Sequence, residues 1–224
     1  MMMNLFSIFD PCTSMILSLN WMSSIYIMLF LPNLYWFIPS RLNMLIIFMF
    51  DKLINEFKMI LNNKMNMMNL IMFINLFMFI MLNNLLGMFP YIFTSSSHLT
   101  FSLTLSLSLW LSMMMFGWLN NTNKMFIHLV PQGTPNLLMP FMVLIETISN
   151  MIRPGTLAVR LSANMIAGHL LMTLISSTGN NLNLILLLIM LFSQSLLIIL
   201  ELSVSMIQAY VFTVLSTLYS TESN

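Results

Sequence analysis

Residues 146–169 read ETISNMIRPGTLAVRLSANMIAGH, and they set Glu146, Arg153, Arg160, Asn164 and His169 inside a run otherwise fit for lipid. Only 6% of the 224-residue chain is charged, so three charges within fifteen positions need a physical reason. A charge at the centre of a bilayer costs about 2.5–3.5 kcal/mol on insertion scales, and such residues line a pathway or meet a partner.

The surrounding chain is built for that solvent. It is 59% hydrophobic with a mean hydropathy of +0.92, against roughly 45–50% apolar and about 25% charged in soluble domains. An all-α integral membrane protein is expected. The net charge of +1 gives no field for nucleic acid, so electrostatic function must rest on individually placed groups. The single cysteine, Cys12, excludes an intramolecular disulfide and a Cys-based metal cluster. It reads as an inert apolar residue. The opening MMMNLFSIFD has neither a basic n-region nor an Arg-rich amphipathic pattern, so insertion without a cleaved address is expected. The 27 methionines point to a biased codon pool more than to packing.

Length decides the architecture on either side of the charged stretch. Residues 136–178 and 181–219 are two apolar runs of about forty residues. As continuous helices each would be about 60 Å long, twice the roughly 30 Å of hydrocarbon. Either each run breaks into two spans or both lie strongly tilted. Pro154-Gly155 offers a kink, and Gly179-Asn180-Asn181 a turn between the runs. Upstream, 15–31 is expected to be one N-terminal transmembrane span. The segment 40–64 carries Arg41, Lys52, Lys58 and Lys64 against Asp51 and Glu56, which puts it on the matrix or cytoplasmic side. Apolar Leu42 to Phe50 favours an interfacial helix there, with a solvated loop as the other choice. Residues 65–118 hold two runs, Met65 to Phe89 and Leu99 to Trp118, expected as a helical hairpin that returns Lys124 to the basic side. Asn75, Asn83 and Asn84 would bond to neighbouring helices. Ser220 to Asn224 are expected to fray. No repeat or linker divides residues 1–224, which read as one membrane domain.

Winding 146–169 at about 100° per residue lines up Glu146, Ser149, Arg153, Thr156, Arg160 and Asn164 on one stripe. Ala163 and Ala167 flank it, so another surface can approach Arg160 closely. In the last run Gln194, Glu201, Ser205 and Gln208 share a narrow face. Arginine stays protonated, which makes Arg160 a fixed cation; Glu201 and His169 are the groups that can carry protons. His169 points away from Arg160 on the wheel. Glu146 and Arg153, seven apart, fit an internal buried pair, with an interfacial Arg153 as the other reading. His98 and His128 read as solvated. No His/Glu set has metal-ligand spacing, and there is neither a nucleophile elbow nor a Gly-rich phosphate loop. A metal, a cofactor, a catalytic site of the chain's own and direct nucleotide binding are therefore not expected, and an ion path fits better than a substrate cavity.

Three stretches carry a family resemblance: NNLLGMFPYIFT (83–94), HLVPQGTPNLLMPFMVLIETISNMIRPGTLAVRLSANMIAGHLL (128–171) and ELSVSMIQAYVFTVLSTLY (201–219). They resemble subunit a of the F-type ATP synthases in its mitochondrially encoded form, with wording most like the insect or other arthropod versions. The resemblance implies a multi-pass protein of the mitochondrial inner membrane with two long, strongly tilted C-terminal helices lying nearly in the membrane plane. Its implied partners are the c-ring subunits, other membrane-sector and peripheral-stalk subunits, the lipid bilayer and protons. It implies that Arg160, with Asn164 and Gln208 near it, faces the ring carboxylate. It further implies that His169 and Glu201 serve the intermembrane-space half-channel and Glu146 the matrix exit. The competing expectation is another ion-translocating transporter or a respiratory-complex subunit.

Overall fold

Hydrocarbon offers no hydrogen bonds, so an apolar run must satisfy its own backbone, and a helix does so within one segment. The computed structural model describes residues 5–13, 17–31, 35, 37–61, 67–89, 91–130, 135, 138–179 and 183–223. These residues form helices and turns, with no strand among them. The helices are α1 Ser23–Tyr26, α2 Arg41–Ile60, α3 Met67–Gly87, α4 Leu99–Asn120, α5 Thr122–Leu129, α6 Met139–Thr178 and α7 Leu184–Ser223. Four are long and apolar enough to cross a membrane: Asn69–Gly87, Leu99–Asn120, Met139–Thr178 and Leu184–Glu222.

Both long runs are unbroken helices of 40 residues. The alternative of two spans per run therefore falls. Pro154 lies inside α6 without ending it; it is buried against α4, sharing a small void with Ser106, Leu109 and Trp110. Of the expected turn, Asn180 and Asn181 lie outside the described residues. Serine and threonine survive in these helices by returning their hydroxyls to a carbonyl three residues back, as Ser112, Thr173 and Ser193 do.

The two long helices pair antiparallel over almost their whole length. Contacts run from Arg153 with Glu222, through Asn164 with Gln208 and Gly168 with Glu201, to Gly179 with Met190. α3 lies antiparallel on α7, where Asn84 Nδ2 donates to the Ser205 carbonyl at 3.4 Å, and α4 packs mainly on α6. The expected hairpin is thus opened out. α3 and α4 are successive, and the Phe79 and Phe101 rings approach to 5.8 Å, but each helix takes a long C-terminal helix as its main partner. Leu53, Phe77, Ile80, Leu109, Leu157, Leu161, Ala209 and Phe212 form the core where α2, α3, α4, α6 and α7 converge.

The basic segment does contain a helix, α2, started by Ser40, whose side chain accepts from the Asn43 N–H at 3.4 Å. It buries Leu53 and Phe57 and lies against α3 and α7; Lys64 is outside the described residues. The expected N-terminal span over 15–31 is not confirmed. Leu19–Phe30 is a 3-10 turn, the single α turn α1 and another 3-10 turn, and it is not among the four helices long enough to cross. Ser23 donates to the Phe93 carbonyl at 3.3 Å, so its hydroxyl ties this segment to the loop before α4. The expected fraying is corrected for residues 220–223, since α7 continues to Ser223; Asn224 lies outside the described residues.

Burial confirms which solvent the outside meets. The buried set among the described residues is as polar as it is apolar, with Asn83, Asn84, Ser102, Glu201, Ser205 and Gln208 inside while leucine, isoleucine and phenylalanine side chains stand outside. Water would drive the opposite sorting; lipid permits it, because polar groups then find partners only within the bundle.

Candidate functional site: the polar line between the two long helices

Helix α6 turns two faces to its surroundings around residue 160. Leu157, Ala158, Leu161, Ser162 and Met165 are buried in the bundle. Thr156, Arg160, Ala163, Asn164 and Ala167 point out of it. Arg160 is exposed and makes no hydrogen bond or ion pair with the described residues. Its neighbours one turn along are alanine and asparagine, so the guanidinium stands on a shallow face that an opposing helix could reach. Asn164 Nδ2 donates to Gln208 Oε1 at 3.2 Å, which fixes the amide beside Arg160 and ties it to α7.

One turn further along, α6 meets the carboxylate of α7. Glu201 is 5% exposed, and its Oε1 lies 3.8 Å from His169 Nε2. That is ion-pair range and beyond hydrogen-bond length. Both carboxylate oxygens and the histidine Nε2 are buried without a hydrogen-bond partner among the described residues. Gly168 makes this approach possible. A Cβ at that position would stand 2.5 Å from Glu201 Oε1 and 2.7 Å from its Cδ, so the carboxylate occupies the place of a side chain.

At the other end of the line, Arg153 joins two acids. It contacts Glu146 at 3.7 Å and Glu222 at 2.5 Å, and its guanidinium lies 5.2 Å from the Tyr219 ring centroid. The seven-residue spacing of Glu146 and Arg153 did indicate the first pair, but its side chains are 34% and 28% exposed, so it is not the buried pair expected. Glu222 was missed because the C-terminus was expected to fray. The chain has six acidic residues, and matching Arg153 against so short a roster could have found it.

Two cavities flank the Arg160 face. One of about 920 Å3 reaches His169, Thr173, Ser176 and Gln194 on the long helices, with Asp10 and Asn20 across from them. The other, about 330 Å3, is bordered by Trp118, His128, Glu146, Asn150, Arg153 and Glu222. Glu146 and His169 are 23 positions apart on one helix, about 35 Å at 1.5 Å per residue. Arg160 lies between them.

The expected residues therefore fall into three groups along the helix pair: Glu146 with Arg153, Arg160 with Asn164 and Gln208, and His169 with Glu201. Asn84 bonds to a neighbouring helix as expected; Asn83 instead donates to the Phe79 carbonyl of its own helix and accepts from Ser95 Oγ of the Ser95–Ser97 turn at 3.0 Å, and Asn75 is exposed. His98 departs from its expected solvation. It packs between Trp21 and Phe93 at 5.2 and 5.1 Å, and its Nε2 is buried. His128 is exposed at the end of α5.

Known proteins share this layout of sequence. The family model described as ATP synthase A chain matches residues 3–221. The chain is similar to ATP synthase subunit a of Locusta migratoria, 56% identical over 99% of both chains. It is 56% identical, over the full length of both, to the subunit a of Drosophila melanogaster and to that of Aedes aegypti. A match over nearly every residue, in a chain with four apolar helices of spanning length, means that the chain belongs to the ATP synthase A chain family and is a membrane-sector subunit.

Proposed function

We propose that the chain is the proton-conducting stator subunit of a mitochondrial ATP synthase, seated in the inner membrane against the rotating c ring. The observation that carries this reading is the exposed Arg160, without an ion-pair partner among the described residues, on a shallow face between two cavities at opposite ends of one helix pair. Helices of 40 residues are about twice the membrane thickness, which supports a strongly tilted arrangement across the ring.

Protons from the intermembrane side reach His169 through the larger cavity and pass to Glu201. From there they neutralise a ring carboxylate, which can then turn into lipid without the cost of a buried ion. After the ring has turned, the carboxyl releases its proton toward Glu146 and the matrix. Arg160 stabilises the charged carboxylate during the exchange, and as a permanent cation it repels protons that would leak between the half-channels. Asn164 and Gln208 hold that face in shape. The fit of the family model across residues 3–221 favours this over another transporter or a respiratory-complex subunit.

The test uses the assembled synthase in vesicles. Arg160→Ala should abolish ATP synthesis driven by a proton gradient. Glu201→Gln should slow proton flow while the complex stays assembled. Gradient-driven synthesis by an assembled Arg160→Ala enzyme would overturn the proposal.

A further inference from the structure

The wall opposite His169 is supplied by the N-terminal segment. The 3-10 turn Leu5–Phe9 packs on α6, and the Phe9 ring stands edge-on to the His169 ring at 6.3 Å. The next residue is Asp10. Its Oδ1 accepts from the Cys12 N–H at 3.1 Å, while its carbonyl accepts from Asn20 Nδ2 at 3.2 Å. Thr13 Oγ1 donates to the Leu17 carbonyl at 2.8 Å. These bonds fold the segment back on itself, and they hold Asp10 at the solvent side of the cavity that His169 borders from within.

Among the described residues Asp10 is the one acidic residue on the lining of that cavity. The other titratable side chains there are His169, Cys12 and Tyr91, with Glu201 behind His169. A fixed negative charge at the mouth of a cleft with low-dielectric walls raises the local concentration of cations and their rate of arrival.

We propose that Asp10 is the proton-collecting carboxylate of the intermembrane access route, and that Ser7, Ile8, Asp10, Cys12 and Asn20 form the outer wall of that route with Phe9 screening His169. The carboxylate takes a proton from water on that side and yields it inward to His169, so one proton moves and no other bond changes. This rests on the reading of His169 and Glu201 as a proton path.

The experiment uses intact synthase in vesicles, with proton flux followed while the outer pH varies and the inner pH is held. Asp10→Asn should lower flux about tenfold at alkaline outer pH, where free protons are scarce, and less as that pH falls. The dependence on inner pH should not move. Cys12 lies on the same wall, so a membrane-impermeant maleimide added from the outer side should slow flux in the native enzyme and leave Cys12→Ala unaffected. That second measurement stands even where Asp10→Asn fails to assemble. If Glu201→Gln slows flux while Asp10→Asn and the maleimide leave it unchanged at every pH, Asp10 is off the route and the path through Glu201 survives. Normal flux in Glu201→Gln would remove both.

Discussion

At position 168 the absence of a side chain is filled by a residue from another helix. Glu201 enters the notch left by Gly168, and its carboxylate comes to rest beside His169. Gly168→Ala would force that carboxylate away by a fraction of its own length. Misplacement on the order of 1 Å costs up to about a hundredfold in positioned chemistry, so gradient-driven ATP synthesis should fall by about tenfold to a hundredfold with the complex assembled. Normal synthesis would mean that the notch has no bearing on proton transfer. The sequence singles out Glu201 and His169 separately, as ionisable groups in lipid. The family resemblance assigns both to one half-channel, but the residues alone do not pair them, because a helical wheel describes one helix and their meeting depends on the register of two. The Arg160 stripe was legible for the converse reason: its outward direction is a property of α6 alone. Glu222 was hidden by its place near the end of the chain, where fraying is the usual expectation.

Among the elements, Asn84 provides a polar link between α3 and α7. Interhelical hydrogen bonds in membranes average about 0.6 kcal/mol and reach about 1.7. Asn84→Ala should therefore lower the stability of the detergent-solubilised synthase by a comparable amount, read as a small fall in its thermal transition. A loss of several kcal/mol would point to a larger role for the buried Ser95–Ser97 turn beside it. Run length and apolarity made the long helices legible, to within a few residues at most ends. Their partners were not, since α3 and α4 are apolar on nearly every side and offer no stripe to select a neighbour. Connection in sequence suggested a hairpin; packing placed α7 and α6 against them instead. The N-terminal segment misled for a related reason. Its composition suits a span, but Ser23 gives its hydroxyl to the Phe93 carbonyl of the loop before α4, and the chain here runs in short 3-10 and α turns.

For the molecule as a whole, the two cavities predict sidedness. In a Cys12→Ala background, Thr173→Cys should react with an impermeant maleimide from the intermembrane side and Asn150→Cys from the matrix side. Labelling of both from one side would dispose of the two-ended arrangement. The same helix pair also constrains how the gene can vary. Contact positions on α6, at 153, 164, 168 and 179, are separated by eleven, four and eleven residues, and those on α7, at 190, 201, 208 and 222, by eleven, seven and fourteen. Each interval is close to a whole number of helical turns, so all eight positions share the facing surfaces. Deleting one codon inside either helix would rotate every later contact by about 100°. Substitutions can accumulate along this pair, whereas changes of length between positions 153 and 179, or between 190 and 222, would uncouple its two ends.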